Sequence, residues 1–341
     1  MSRPGEAAAT GGRPTTERLQ WPRMVLGLLF GIVTGVVVVL VINPHVGHDL
    51  ARASRAATQP VYLVLTLVVL LAVLAADAAS LVLLVRALVG PVSVMPVAGV
   101  AFESALVGGA TSFGGLEIPY QIVLLRTQGL NVSEASSIVL VKGLVHTSVL
   151  AVVALVAFFP AVNSPITSLQ RWLLLGVVGT LLFAWVVGWL WLKRPLGLSM
   201  LPDRLGRRVG DFRDATSILR EAGWRVQLAV MGLQLLYWVG MFALIPLILH
   251  ALGWRGPVMP IVIGQAVLQV LMPFSPLPGG AGVAEFGFLE LIGPSLPPDL
   301  RVASLVLWRV VTWIIPMALG AVALGLRVSR GRAPRLRKEL T

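Results

Sequence analysis

The chain has 341 residues, 57% of them hydrophobic and 12% charged, with a mean hydropathy of +0.88 and a formal net charge of +12. Soluble domains carry about 25% charged and 45–50% apolar residues, so this composition excludes a soluble enzyme, a disordered protein and a nucleic-acid-binding module. Apolar runs that recur from end to end leave an all-α polytopic membrane protein.

Residues 1–23 hold four Arg among Gly, Pro and Thr and read as a disordered cytoplasmic tail. The run 24–42 is too long for a signal-peptide core and lacks a small-residue cleavage pattern, so it reads as a retained first helix. Further runs at 60–86, 134–159, 168–192, 226–251 and 301–327 each reach the roughly 20 residues a bilayer core requires. Asn131 or Ser133 is placed to cap the helix at 134–159. Eight Lys and Arg in 193–225 and six in 327–341 put those stretches on the cytoplasmic side under the positive-inside rule. There they would meet anionic inner-leaflet lipids rather than nucleic acid.

Two stretches depart from plain spans. Residues 92–128 contain GGATSFGGLEIP, and 256–294 contain MPFSPLPGGAGVAEFG. Broken backbone at membrane depth is tolerated only where protein or a water-filled cavity surrounds it, so both read as re-entrant hairpins. The charge sidedness is self-consistent if 92–128 enters from the cytoplasm and 256–294 from outside. The expected architecture is therefore six full spans plus two re-entrant helical hairpins in an inverted repeat. The first copy is 24–159, the second 160–327, and 328–341 is a basic cytoplasmic tail. The spacing agrees, because Glu117 precedes Lys142 by 25 positions and Glu285 precedes Arg309 by 24. Inverted repeats with broken helices recur among transporters.

Ionisable groups at a helix centre cost about 2.5–3.5 kcal/mol each, yet Asp77, Glu103, Glu117, Lys142, His146, Glu285, Glu290 and Arg309 lie inside apolar segments. Two base–acid pairs would neutralise four of these, leaving three acids for protonation or water. Lys142 and Arg309 have two compatible readings. Each could satisfy the acid of its own hairpin, or the two could meet an anionic head group from opposite sides, with Arg offering a fork suited to phosphate. Gly114, Gly115, Gly279, Gly280 and Gly282 permit unusual backbone shapes; helices starting after them would aim positive ends at the midplane, or the glycines could serve close packing. Asp77 and Glu103 are candidates for proton coupling or are buried neutral acids.

Other signals are weaker. His45 and His48 have no nearby acid at ligand spacing, so no metal site is expected. His250 reads as a helix cap. Trp172, Trp185, Trp189, Trp191, Trp224, Trp238 and Trp254 read as interfacial anchors. The chain has no Cys, which excludes disulfides, thiolate metal sites and a cysteine nucleophile.

SPLPGGAGVAEFGFLELI (275–292) followed by LWRVVTWIIPMALG (307–320) resembles the transmembrane family of lysylphosphatidylglycerol synthase/flippase proteins. Pro276, Pro278, Gly279, Gly280, Gly282, Glu285, Arg309 and Gly320 match its pattern. SFGGLEIPYQIVLL (112–125) is similar to the family's first hairpin, with Glu117 in the acidic place; Tyr120 and Gln121 stand where members usually carry an Arg. The resemblance implies an inner-membrane protein that translocates a lipid. The full synthases add a soluble aminoacyl-transferring domain, and only 14 residues follow 327 here, so a stand-alone flippase-like protein is expected.

The leading expectation is thus a lipid translocase, not an enzyme, with membrane lipid as substrate and no cofactor. It has no Walker-type loop for ATP. The substrate-binding candidates are Glu117, Lys142, Gly279, Gly280, Gly282, Glu285 and Arg309. A small-solute or ion carrier, a membrane-embedded enzyme on lipid-linked substrates and a scaffold in cell-envelope synthesis are the alternatives. The sequence is compatible with a homo-oligomer.

Overall fold

The computed structural model describes residues 59–111, 116–162 and 223–329, with single residues at 168, 172, 175, 176 and 179. The tail 1–23, the run 24–42, His45, His48, Gly114, Gly115, Trp185, Trp189, Trp191, most of 168–192, residues 193–222 and the tail from 330 lie outside the described residues.

Every regular element among the described residues is helical. In chain order these are α1 (Pro60–Val89), α2 (Val94–Ala110), α3 (Glu117–Arg126), α4 (Val132–Val162), α5 (Gly223–Ala251), α6 (Val258–Leu271), α7 (Val283–Leu291), α8 (Pro298–Arg309) and α9 (Ile315–Ser329). A single π-turn, Val310–Ile314, joins α8 to α9, making one apolar rod of 32 residues. Together with α1, α4 and α5, that rod gives four helices long and apolar enough to cross a membrane.

Local signals set the boundaries. Pro60 sits in the first turn of α1, where its missing N–H costs nothing. Asn131 opens α4 with a reciprocal box: the Glu134 N–H donates to Asn131 Oδ1 (2.8 Å) and the Asn131 N–H donates to Glu134 Oε2 (2.9 Å), satisfying two otherwise orphaned donors. The π-turn precedes Pro316, whose ring cannot follow an ordinary α-turn without clashing with the preceding carbonyls.

The two interrupted stretches each form a pair of helices too short to span. In the first, α2 and α3 have 17 and 10 residues; in the second, α6 and α7 have 14 and 9. The order long, short, short, long therefore occurs twice, with outer helices of 30 and 31 residues in the first unit and 29 and 32 in the second.

Lipid tails are as apolar as leucine, so packing between such helices depends on close contact and polar pairs rather than on escape from water. The α1–α5 pair is the most extensive contact, and α2 against α9 is next. Both use a glycine for close approach. A Cβ at Gly240 of α5 would collide with Val73 of α1, and one at Gly320 of α9 would collide with the Phe102 carbonyl of α2. One apolar core gathers α6, α7 and α8 around the C-terminal half of α5, with Leu268, Phe288 and Trp308 fully enclosed. A second gathers α1, α2, α3 and α4 against α5, and a smaller third joins α2 to Trp313, Met317 and Leu324.

Candidate functional site

Three ion pairs organise the charges of the described residues, two of them buried on both sides and one with a half-buried acid. On the second hairpin, Gly282 (φ +80°) ends the glycine turn and begins α7. Its N–H donates to Glu285 Oε2 (2.7 Å), and Glu285 Oε1 receives Arg309 Nε at 2.9 Å. Arg309 Nη1 donates to the Gly279 carbonyl at 2.8 Å. The third guanidinium nitrogen, Nη2, is buried and has no partner. Gly279 and Gly280 also take positive φ, +63° and +71°, the left-handed region that glycine enters without a Cβ penalty. The pairing of Arg309 with its own hairpin's acid is the one that the spacing anticipates.

The first hairpin is arranged differently. Lys142 of α4 does not pair with Glu117; its Nζ lies 2.7 Å from Asp77 Oδ2 on α1. Glu117 is the first residue of α3 and accepts from Gln121 Nε2 (3.3 Å). Its carboxylate fills the space left by Gly108, where a Cβ would lie 2.7 Å from Oε2. The cause of the Lys142 pairing is reach: α4 packs on both α1 and α3, so a long lysine can choose either acid.

One turn along α4, His146 joins a hydrogen-bond chain. Ser80 Oγ donates to the Asp77 carbonyl (2.7 Å), Gln234 Nε2 donates to Ser80 Oγ (2.9 Å), and Gln234 Oε1 faces His146 Nδ1 (2.8 Å). An amide oxygen only accepts, so Nδ1 carries the proton. Trp238 Nε1 donates to the His146 carbonyl (3.0 Å), which places this tryptophan inside the protein rather than at a span end. Trp254 is likewise buried, whereas Trp172 and Trp224 are exposed. His250 Nδ1 bonds the Pro246 carbonyl one turn back within α5 (2.7 Å), so it does not cap the helix end, whose open carbonyls lie in the last turn.

The third pair was not visible in sequence. Arg327, counted there among the basic residues of the tail, is 8% exposed and lies 2.7 Å from Glu103 Oε1. Tyr120 donates to the other oxygen of Glu103 (3.3 Å), and Arg327 reaches Thr127 Oγ1 (3.4 Å) and the Pro96 carbonyl (3.5 Å). Asp77 and Glu103, the two candidates for proton coupling, are thus both engaged by a base. The available signal was the lone acid in α2, which required a base from elsewhere. Among the described residues no group of three or more His, Asp or Glu is placed to hold a metal ion.

The family model of the lysylphosphatidylglycerol synthase TM region matches residues 24–320. The chain belongs to that family. No curated protein matches it. For this member of the lysylphosphatidylglycerol synthase TM family, the match spans both helix units and all three ion pairs except Arg327, which lies beyond its end. The glycine turn, Glu285 and Arg309 therefore sit in the matched region with the hairpin geometry described above. The match and the four long apolar helices together make the chain a multi-pass membrane protein.

Proposed function

We propose that this family member moves a phospholipid or lipid-linked head group between the leaflets of the cytoplasmic membrane. The head group would be held between the two hairpins by Gly279, Gly280, Gly282, Glu285 and Arg309 on one side and Glu117 and Lys142 on the other. The observation that carries this reading is the buried, unpartnered Nη2 of Arg309. An orphaned buried donor costs about 1–3 kcal/mol, more when it is charged, and a phosphate oxygen satisfies it while leaving the Glu285 and Gly279 contacts intact. Gly282 alongside, at positive φ and with Leu277 Cδ1 at 3.7 Å as the nearest neighbour of a built Cβ, lets a large anion approach the backbone closely.

In this reading the two helix units are an inverted repeat, six spans accompany two hairpins that enter from opposite faces, and both termini are cytoplasmic. The protein makes and breaks no bond. Transport follows the lipid's own concentration difference or an ion gradient.

The test is flipping of head-group-labelled phospholipids in proteoliposomes, paired with mass spectrometry of co-purifying lipids. Wild type should exceed protein-free vesicles several-fold and retain one lipid class. Arg309→Lys keeps the charge but loses the fork, so both signals should fall. No candidate lipid crossing faster than in protein-free vesicles would sink the reading.

A further inference from the structure

Arg309 and Trp313 flank the start of the π-turn, and each serves a backbone carbonyl of a different hairpin. Arg309 Nη1 donates to Gly279 O of the second hairpin, and Trp313 Nε1 donates to Gly109 O of the first (3.2 Å). Gly109 lies in the last turn of α2, where carbonyls lack an intrahelical donor, so the indole satisfies a group the helix leaves open. The Arg309 guanidinium stacks over the Trp313 ring, 4.4 Å from its centroid. The same ring occupies the space a Cβ would need at Gly279, while a Cβ built on Gly109 would meet Met317 Sδ at 2.7 Å and the ring, at Nε1, at 2.9 Å. Glycines on both hairpins thus admit one indole, which is 9% exposed.

We propose that Trp313 is the positioning residue through which the two hairpins hold each other, so that displacement of either tip is passed to the other by way of the indole. Arg309 and Trp313 are four residues apart on one continuous rod, so they share a face, and that face meets both hairpins. The neighbouring contact of α2 with the turn Pro278–Gly280 would by itself let the tips slide; the Gly109 hydrogen bond and the stacked guanidinium fix them in register. This inference does not depend on the lipid reading, since it concerns the geometry of the hairpins alone.

The chain has no cysteine, so nitroxide labels can be placed without background at Ile118→Cys and Phe274→Cys, positions 52% and 72% exposed on the two hairpins. Pulsed dipolar spectroscopy of the full protein in phospholipid nanodiscs then reads the distance between tips. Native Trp313 should give one narrow distribution, and Trp313→Leu a broadened or shifted one. Gly279→Ala, whose Cβ would meet the Trp313 ring as its nearest neighbour, should shift the distance when Trp313 is present and shift it less in the Trp313→Leu background, where that ring is gone. A loss of packing unrelated to coupling would instead give equal effects of Gly279→Ala in both backgrounds. That result, or an unmoved distance in Trp313→Leu, overturns the proposal. If the Leu variant does not fold, Trp313→Phe takes its place; the smaller ring drops the Gly109 bond and should reduce the Gly279→Ala shift. Flipping assays that fail for every lipid would leave these distances, and this inference, untouched.

Discussion

The ion pair of Lys142 goes to Asp77 across 65 residues rather than to Glu117, the acid that the spacing offered it. Removing one member of a buried pair leaves an uncompensated charge, which costs about 3–5 kcal/mol. Asp77→Asn and Lys142→Met should therefore each lower stability by about 3 kcal/mol, the lower end of that range, because the Asp77 side chain is 23% exposed. The double variant should recover most of the loss. Chemical denaturation in mild detergent checks this, and additive losses would show that the two charges do not meet. The turn glycines offer a second comparison. Gly282→Ala has room for its Cβ, whose nearest neighbour is Leu277 Cδ1 at 3.7 Å, so only the left-handed backbone is charged for, about 1–2 kcal/mol. Gly279→Ala meets the Trp313 ring as well and should cost more in the same assay. At this scale sequence reading found Glu285 with Arg309, because both sit in one unit and their motif is compact. It found the acids Asp77 and Glu103 but not their partners. A lysine's reach and a helix crossing decide those pairings, and neither is written in spacing.

The long helices and the Asn131 cap were legible because apolar length and capping chemistry are local properties. The two broken stretches were legible too, as glycine-rich interruptions inside apolar runs, though their division into the short helices α2–α3 and α6–α7 needed the structure. The junction of α9 with α2 was not legible, since it joins residues 224 apart, Glu103 and Arg327. That pair lies at one end of the α2–α9 contact, with Gly320 at its middle, where a Cβ would meet the Phe102 carbonyl and Leu106. A backbone oxygen cannot rotate aside as a side chain can. Gly320→Val should therefore force the helices apart and cost about 1–3 kcal/mol, as overpacking does. Arg327→Gln should also weaken the junction, by leaving Glu103 buried without its base. Hydrogen exchange over 94–110 should rise in both variants while exchange over α5 stays unchanged. An equal rise in both regions would mean global destabilisation instead of a loosened α2–α9 contact.

At the scale of the molecule, the order long, short, short, long is present twice, but helix order alone does not orient the units in a bilayer. Orientation follows from where the basic residues lie: four in 1–23, eight in 193–225 and six in 327–341. If those segments are cytoplasmic, α4 begins inside, after the first hairpin, and α8 begins outside, after the second. Corresponding positions of the two units would then face opposite compartments, which is what an inverted repeat requires. Ser133 and Asp299 are such positions, both exposed and both in the first turn of the helix that follows a hairpin. In the cysteine-free background, Ser133→Cys should react with a membrane-impermeant maleimide only in inside-out vesicles, and Asp299→Cys only in right-side-out cells. Labelling of both from one face would make the units parallel, and would remove the opposed hairpins from which a head group could be presented to each leaflet in turn.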